Sequence, residues 1–233
     1  MKARSAIFVF HLLTMVIATC LAVAPPARAE GIYLQVHGGF STLNLDDVND
    51  AVDAINDAAG AQYLDNLTTG WEAGFTVGYD ITRNLGLGVG YARITASSEY
   101  SRDGGLIAFD RPADLFEITL DYLPDDGRSV RVGAGADVGM VSSAAALRYS
   151  DPVVFEEEED SFDGLGFLFA GYAIVDAGLS DQWSIYGQGG FRHAIIGEVK
   201  VDGDTVYNPD SLDDKLRLNY SGVFLRVGMK FRP

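Results

Sequence analysis

Two histidines follow the first thirty residues, and histidine is the side chain best suited to acid–base work near neutral pH. A histidine activates a serine only when the hydroxyl lies within hydrogen-bond reach. Ile195 stands two positions after His193, so the local His-x-Ser spacing that would supply such a serine is missing. His37 alternates with large apolar neighbours, which predicts a hydrogen-bonded group in the interior. We therefore predict no catalytic residue.

The sequence also lacks a recognisable metal-binding motif. Cys20 is the only cysteine, so the sequence offers no cluster of thiolates. The segment Phe155–Asp160 holds five acidic residues in succession, and carboxylate oxygens suit Ca²⁺ or Mg²⁺. However, the run lacks the spaced Asp and Gly positions of a calcium-binding loop, which favours a solvated segment. We predict no metal site and no cofactor.

The N-terminus has the features of a secretory signal peptide. Lys2 and Arg4 precede a modest apolar stretch, and Ala27-Arg28-Ala29 provides a small-x-small cleavage site. We expect residues 1–29 to be removed as a signal peptide. Lipidation of Cys20 is the weaker alternative.

Residues 30–233 are predicted to form one domain of ordinary size. The chain has 17 basic and 33 acidic residues; losing the three basic residues of the signal peptide takes its net charge from −16 to −19. This balance argues against nucleic acid or anionic lipid as a partner. All 27 glycines lie after residue 30, interleaved with aromatic residues, although glycine normally weakens strands.

Eight segments of this domain alternate large apolar residues with glycine, small or charged ones, the period of a β-strand. They cover approximately residues 32–40, 71–80, 85–91, 116–122, 130–140, 164–175, 183–192 and 222–231. The sixth is apolar at both parities, so its faces stay unassigned.

The connections alternate strictly between long and short. Short turns are predicted at Asp80–Asn84, Leu123–Ser129 and Gly178–Gln182, and long loops near 42–69, 97–112, 142–162 and 196–214. Antiparallel neighbours joined in this way place every long loop at one end of the sheet and both termini at the other. In the first long loop, apolar residues at helical spacing predict a short amphipathic helix over Asp47–Ala59, packed on the rim.

The apolar faces fit the dimensions of a membrane. Trp71 and Tyr79 share one face of the second segment, eight residues apart. At about 3.3 Å per residue and about 40° of tilt, their separation along the membrane normal is roughly 20 Å. This is close to the spacing of the two aromatic girdles that flank a membrane-spanning sheet.

With these patterns the chain resembles the small OmpA-like, OmpX-like and opacity-protein barrels of the outer-membrane β-barrel family. The resemblance covers nearly all of residues 30–233, and no segment remains for a peptidoglycan-binding domain. Its sharpest part is the last strand, where Val223, Leu225, Val227, Met229 and Phe231 match the C-terminal signal read by the barrel-assembly machinery. Two departures are Met229, where an aromatic is common, and the two residues that follow Phe231.

The resemblance implies an all-β, eight-stranded antiparallel up-and-down transmembrane barrel in the outer membrane of a Gram-negative bacterium. Its partners would be outer-membrane lipid and lipopolysaccharide, the assembly machinery through the strand ending at Phe231, and an unidentified host or cell-surface ligand. We expect a monomer. The implied role is non-enzymatic presentation of acidic extracellular loops for envelope integrity, adhesion or surface recognition. A narrow passive channel and, less well supported, a lipid-modifying enzyme remain as alternatives.

The barrel interpretation assigns a face to each charged strand residue. The inward-facing set is predicted to form a salt-bridged plug and comprises Glu72, Asp80, Glu117, Asp121, Arg131, Asp137, Arg192, Arg226 and Lys230. Val227 and His193 are predicted to face lipid. A soluble lipocalin-type barrel would invert these faces and place the large apolar residues inside around a ligand.

Overall fold

A computed structural model describes residues 31–59, 66–102, 105–124, 128–150, 157–201, 204–205, 207–208, 211–215 and 217–233. The predicted signal peptide, residues 1–29, and Cys20 within it lie outside the described residues. No helix of the described residues is long and apolar enough to cross a membrane.

Eight long antiparallel strands form the wall of the molecule. They are β1 (Gly31–Thr42), β2 (Thr69–Asp80), β3 (Leu85–Arg102), β4 (Gly105–Tyr122), β5 (Val130–Ser150), β6 (Glu157–Gly178), β7 (Trp183–Ile196) and β13 (Gly222–Phe231). Each pairs with the next along the chain, with β7 followed in space by β13. The last connection holds the short strands β8 (Val199–Val201), β9 (Asp204–Thr205), β10 (Tyr207–Asn208), β11 (Ser211–Lys215) and β12 (Leu218–Asn219).

The sheet closes because the last long strand pairs with the first. The β1–β13 register extends from Leu34 opposite Phe231 to Ser41 opposite Phe224. Closure satisfies the backbone groups of every strand within the sheet, which is what a lipid environment demands of strands. The predicted eight-stranded antiparallel up-and-down barrel is confirmed.

The strand ends that flank the three predicted short turns lie at one end of the barrel, here called the turn end, and those that flank the long connections lie at the other, the loop end. Residues 125–127 of the second turn lie outside the described residues. Two of the predicted long loops are wrong. The strands β3 and β4 continue through residues 97–112 and stay paired as far as Arg102 opposite Gly105. Likewise, β5 and β6 extend through most of 142–162, to Ser150 opposite Glu157. Polar composition suggested loops, but two extended segments can continue to satisfy each other's backbone groups outside a membrane.

The first long connection contains the predicted helix, which begins one residue earlier than expected, as α1 (Asp46–Ala59). It is amphipathic: Val52 is buried, whereas Asp50 and Asp53 are exposed. The side chain of Asn49 accepts a hydrogen bond of 2.8 Å from the backbone N–H of Leu67, which ties the helix to the chain that leads into β2.

The large apolar side chains point outward. Trp71, Phe167 and Val227 have 75%, 73% and 64% of their surface exposed, as expected of side chains that face lipid. In β6, whose faces the sequence left open, Phe167 and Phe169 face outward and Leu168 faces inward. The lipocalin-type alternative is therefore wrong, because it requires these residues inside.

Many glycines face inward, where they leave space for large side chains. A Cβ atom on Gly78 would lie 2.1 Å from Cζ of Tyr33, whose ring fills the interior near the turn end. On Gly135 a Cβ would lie 2.3 Å from Cε2 of Tyr172. The narrow interior of an eight-stranded barrel is filled by side chains. The rings of Tyr33 and Tyr172 fit there only because the residues facing them have no side chains. This explains the glycine content of these strands.

We expect Gly78→Ala to destabilise the folded barrel by about 1–3 kcal/mol, since it overpacks a rigid interior. The measurement is the free energy of unfolding in urea, followed by tryptophan fluorescence in detergent micelles. Gly171→Ala is the control, because a Cβ there meets nothing within 4 Å. Adding Tyr33→Leu should recover part of the loss. Equal stability of Gly78→Ala and Gly171→Ala would contradict the steric explanation.

Candidate functional site

The interior of the barrel holds a buried charge network centred on Arg226. Its guanidinium donates to Glu117 Oε1 at 2.8 Å and to Asp137 Oδ2 at 3.4 Å, and Nε donates to Glu72 Oε1. The four side chains are at most 2% exposed. One planar fork from β13 therefore joins carboxylates from β2, β4 and β5 across the barrel.

A second arginine completes the charge balance around Glu72. Arg192 Nη1 donates to Glu72 Oε2 at 2.9 Å, and Nη2 donates to Ser41 Oγ at 2.7 Å. The ring of Phe224 lies beneath both guanidinium groups, with its centroid 4.7 Å from Cζ of Arg226 and 5.4 Å from Cζ of Arg192. The ring therefore adds a cation–π attraction to both guanidinium groups.

A tyrosine hydroxyl links this network to the next layer of acids. Tyr172 Oη lies 2.8 Å from Asp137 Oδ1 and 3.0 Å from Asp121 Oδ1. Its ring packs edge-on against Phe224 at 5.9 Å. The hydroxyl hydrogen is thus shared between two carboxylates that would otherwise repel each other.

The layer at the turn end has its own ion pairs. Asp80 lies 3.6 Å from Lys230 Nζ and 3.0 Å from Arg232 Nε. Asp176 lies 3.4 Å from Arg131 Nη2 and 3.9 Å from Arg232 Nη2. Lys230 Nζ also sits 3.7 Å from the centroid of the Tyr33 ring.

All nine charged residues predicted to face inward do so. Sequence reasoning missed Asp176 and Tyr172, because both lie in β6, where apolar residues at both parities concealed the period. It also missed Arg232, which follows the last strand yet turns back to Asp80. With these, six carboxylates meet five arginine or lysine side chains, so nearly every buried charge has a partner.

Toward the loop end the interior also holds an apolar cluster. Every side chain in this cluster is at most 7% exposed. Strands β3 to β7 contribute, as do the segments that flank β1, β2 and β13. The cluster comprises Leu43, Leu45, Leu67, Ala92, Ile94, Ala96, Ala113, Leu115, Val141, Leu168, Ala194, Ile196, Val199, Leu218 and Tyr220. The expected salt-bridged plug is thus accompanied by an apolar cluster, which the inward parity of Ala92 and Ile94 could have indicated.

His37 lies inside the barrel, as predicted. Its side chain is 3% exposed, with Nδ1 3.4 Å from the hydroxyl of Tyr186 and Nε2 3.7 Å from Glu72 Oε1. It therefore belongs to the edge of the Arg226 network.

His193 faces outward, as predicted, but a serine hydroxyl does lie within hydrogen-bond distance of it. Ser221, which precedes β13, places its Oγ 3.3 Å from His193 Nδ1 across the β7–β13 ladder. No local spacing could show this contact, because the two residues are 28 positions apart. Ser221 Oγ also accepts the backbone N–H of Ala194 at 3.0 Å and is largely buried. Within the part of the chain that the structure describes, no carboxylate orients His193, and no group of His, Cys, Asp or Glu side chains is arranged to hold a metal.

Comparisons with solved structures return barrels of outer membranes. Neisserial surface protein A is 15% identical, with a TM-score of 0.44 over 88% of this chain and 99% of that one. A major outer membrane protein from Thermus thermophilus is 13% identical, with a TM-score of 0.49 over 87% and 100%. OprG from Pseudomonas aeruginosa is 12% identical, with a TM-score of 0.47 over 88% and 99%. No curated protein matches the sequence.

The family is shown by the sequence itself. Residues 13–231 match the model of the outer membrane protein beta-barrel domain, which covers most of the chain. The closed eight-stranded sheet and its outward apolar face agree with that match. The chain belongs to the outer-membrane β-barrel family and is a protein of the Gram-negative outer membrane.

Proposed function

We propose that this protein is a non-conducting, non-enzymatic barrel that holds acidic segments at the cell surface for envelope integrity, adhesion or recognition. In outer-membrane barrels the short turns face the periplasm and the long connections face outward. The loop end is therefore the outer end.

The observation that carries this proposal is the filled interior. The apolar cluster of 15 buried residues fills the interior toward the loop end, and the Arg226 network fills the interior beside it and toward the turn end. Ions need a continuous wet path, and an apolar constriction excludes water. These features favour a structural barrel over the passive-channel alternative.

The acidic face of α1 supports a role at the surface. Asp46, Asp50, Asp53 and Asp57 are all exposed and recur at intervals of four, three and four residues, which places them on one side of the helix. A helix held at the outer end with four carboxylates in a row presents a strong local negative potential. Such a surface attracts cationic groups and repels anionic ones.

Catalysis has weaker support. Ester transfer by a serine requires a base, an accessible nucleophile and donors for the developing oxyanion. Of these, the described residues supply only the contact between His193 and a largely buried Ser221. We therefore do not propose a lipid-modifying activity.

Conductance in planar lipid bilayers tests the proposal. We expect the folded wild-type protein to give no steady unitary currents in concentrated salt. Replacing Ile94 and Leu115 with glycine should open the apolar cluster and raise the frequency of current events, since it removes two fully buried side chains from the outer half. Regular unitary openings of the wild-type protein would support the channel instead.

A further inference from the structure

A chain of ion pairs crosses the mouth of the barrel at the turn end. Arg131, Asp176, Arg232, Asp80 and Lys230 follow one another with alternating charge, at distances of 3.4, 3.9, 3.0 and 3.6 Å. The two acids lie on β6 and β2, which are four strands apart in either direction around the closed sheet. They therefore stand on opposite walls, and the chain of pairs, here called the mouth strap, joins these walls.

The middle link of the mouth strap is Arg232. Arg131 and Lys230 each contact one of the two acids, whereas Arg232 contacts both. Its backbone N–H donates to the carbonyl of Gln182 at 2.8 Å, which holds the residue at the turn between β6 and β7. Its side chain is 22% exposed, as expected at an entrance. Without Arg232 each acid would keep one cation, but the pairs of the strap would no longer join the two walls.

The interior beyond the mouth strap is polar and reaches the Arg226 network. Thr119 marks this depth, because it is 6% exposed and its partner in the ladder between β4 and β5 is Asp137, a member of the network. The apolar cluster lies toward the loop end and excludes water there. The turn end is therefore the route by which water and small solutes can reach Thr119.

We propose that Arg232 closes the turn-end mouth by joining its two walls, and thereby limits exchange of water and small solutes between the periplasm and the polar interior. Arg232 follows Phe231, at the point where this chain departs from the usual aromatic end of the outer-membrane barrels that it resembles. The inference depends on the turn end facing the periplasm and not on the role proposed for the outer surface.

Thiol labelling of the folded full-length protein in detergent micelles tests the closure. The reporter is Thr119→Cys in a Cys20→Ser background, where residue 119 is the only thiol. The reagent is methyl methanethiosulfonate, which is small and uncharged. We expect Arg232→Ala to raise the labelling rate about tenfold, because it removes two ion pairs at the edge of the solvent that must break when the mouth opens. Heat-modifiable mobility on gels checks that each variant is folded.

The matched control is Arg131→Ala. Arg131 also pairs with Asp176 and is 19% exposed, but its loss leaves Asp176, Arg232 and Asp80 joined across the mouth. The labelling rate should therefore not change. An equal increase in Arg131→Ala would mean general loosening of the turn end and would overturn the proposal.

A second variant ends the chain at Phe231. It lacks the link and should label as fast as Arg232→Ala, although its last strand is complete. Labelling at the wild-type rate in either the shortened chain or Arg232→Ala would show that Arg232 does not close the mouth.

Discussion

Replacing Arg226 with methionine should destabilise the folded barrel by about 3–5 kcal/mol, the cost of removing one partner from a buried ion pair. The side chain is 2% exposed and contacts carboxylates from Glu72, Glu117 and Asp137. Arg192 still faces Glu72, but Glu117 and Asp137 lose the arginine that they share. The measurement is the free energy of unfolding from urea titration in micelles, with Trp71 and Trp183 as reporters because both face the lipid.

Two further variants separate the loss of charge from the loss of shape. Arg226→Lys keeps the charge but cannot reach three carboxylates from one planar fork, so we expect an intermediate loss. Adding Glu117→Gln to Arg226→Met removes one of the uncompensated charges and should recover part of the stability. If Arg226→Met were as stable as the wild type, the network would be no more than a packing feature.

The sequence was sufficient for the barrel and for the direction of most charges, because both follow from a period of two. Successive side chains of a strand point to opposite faces, so placing Phe231 on the lipid face predicts that Val227 points outward and Arg226 inward. The order of long and short connections placed both termini at one end of the sheet, and its closure was implied by the resemblance to outer-membrane barrels. These are local signals, and each strand repeats them.

Contacts between distant strands could not be predicted in this way. The partners of Arg226 come from three different strands, and which carboxylates meet it depends on the stagger of the closed sheet. For the same reason, the contact between Ser221 and His193 could not be predicted. The extension of β3 and β4 to residues 102 and 105 was missed because polar residues in a hairpin beyond the membrane resemble a loop.

Introducing arginine at Val227 should prevent or strongly slow membrane insertion. Val227 is 64% exposed and lies four residues before Phe231, about 10 Å above the girdle at the turn end and thus near the middle of the apolar band. A lipid-facing arginine at that depth costs about 2–4 kcal/mol. Its neighbours across the ladder, Gly38 and Gly187, have no side chains that could shield the charge. The measurement is the fraction of protein that folds into preformed lipid vesicles, read from heat-modifiable mobility.

The matched control tests depth rather than charge. Val223 also faces lipid, but it lies eight residues before Phe231, about 20 Å above the girdle and near the outer interface. Val223→Arg should therefore cost about 1 kcal/mol or less and should insert almost normally, since arginine there reaches the headgroups. Val227→Leu should insert as the wild type does.

If both arginine variants insert equally well, residue 227 does not face hydrocarbon. Should Val227→Arg insert into vesicles yet fail to assemble in cells, the defect would instead lie in recognition of the last strand by the assembly machinery.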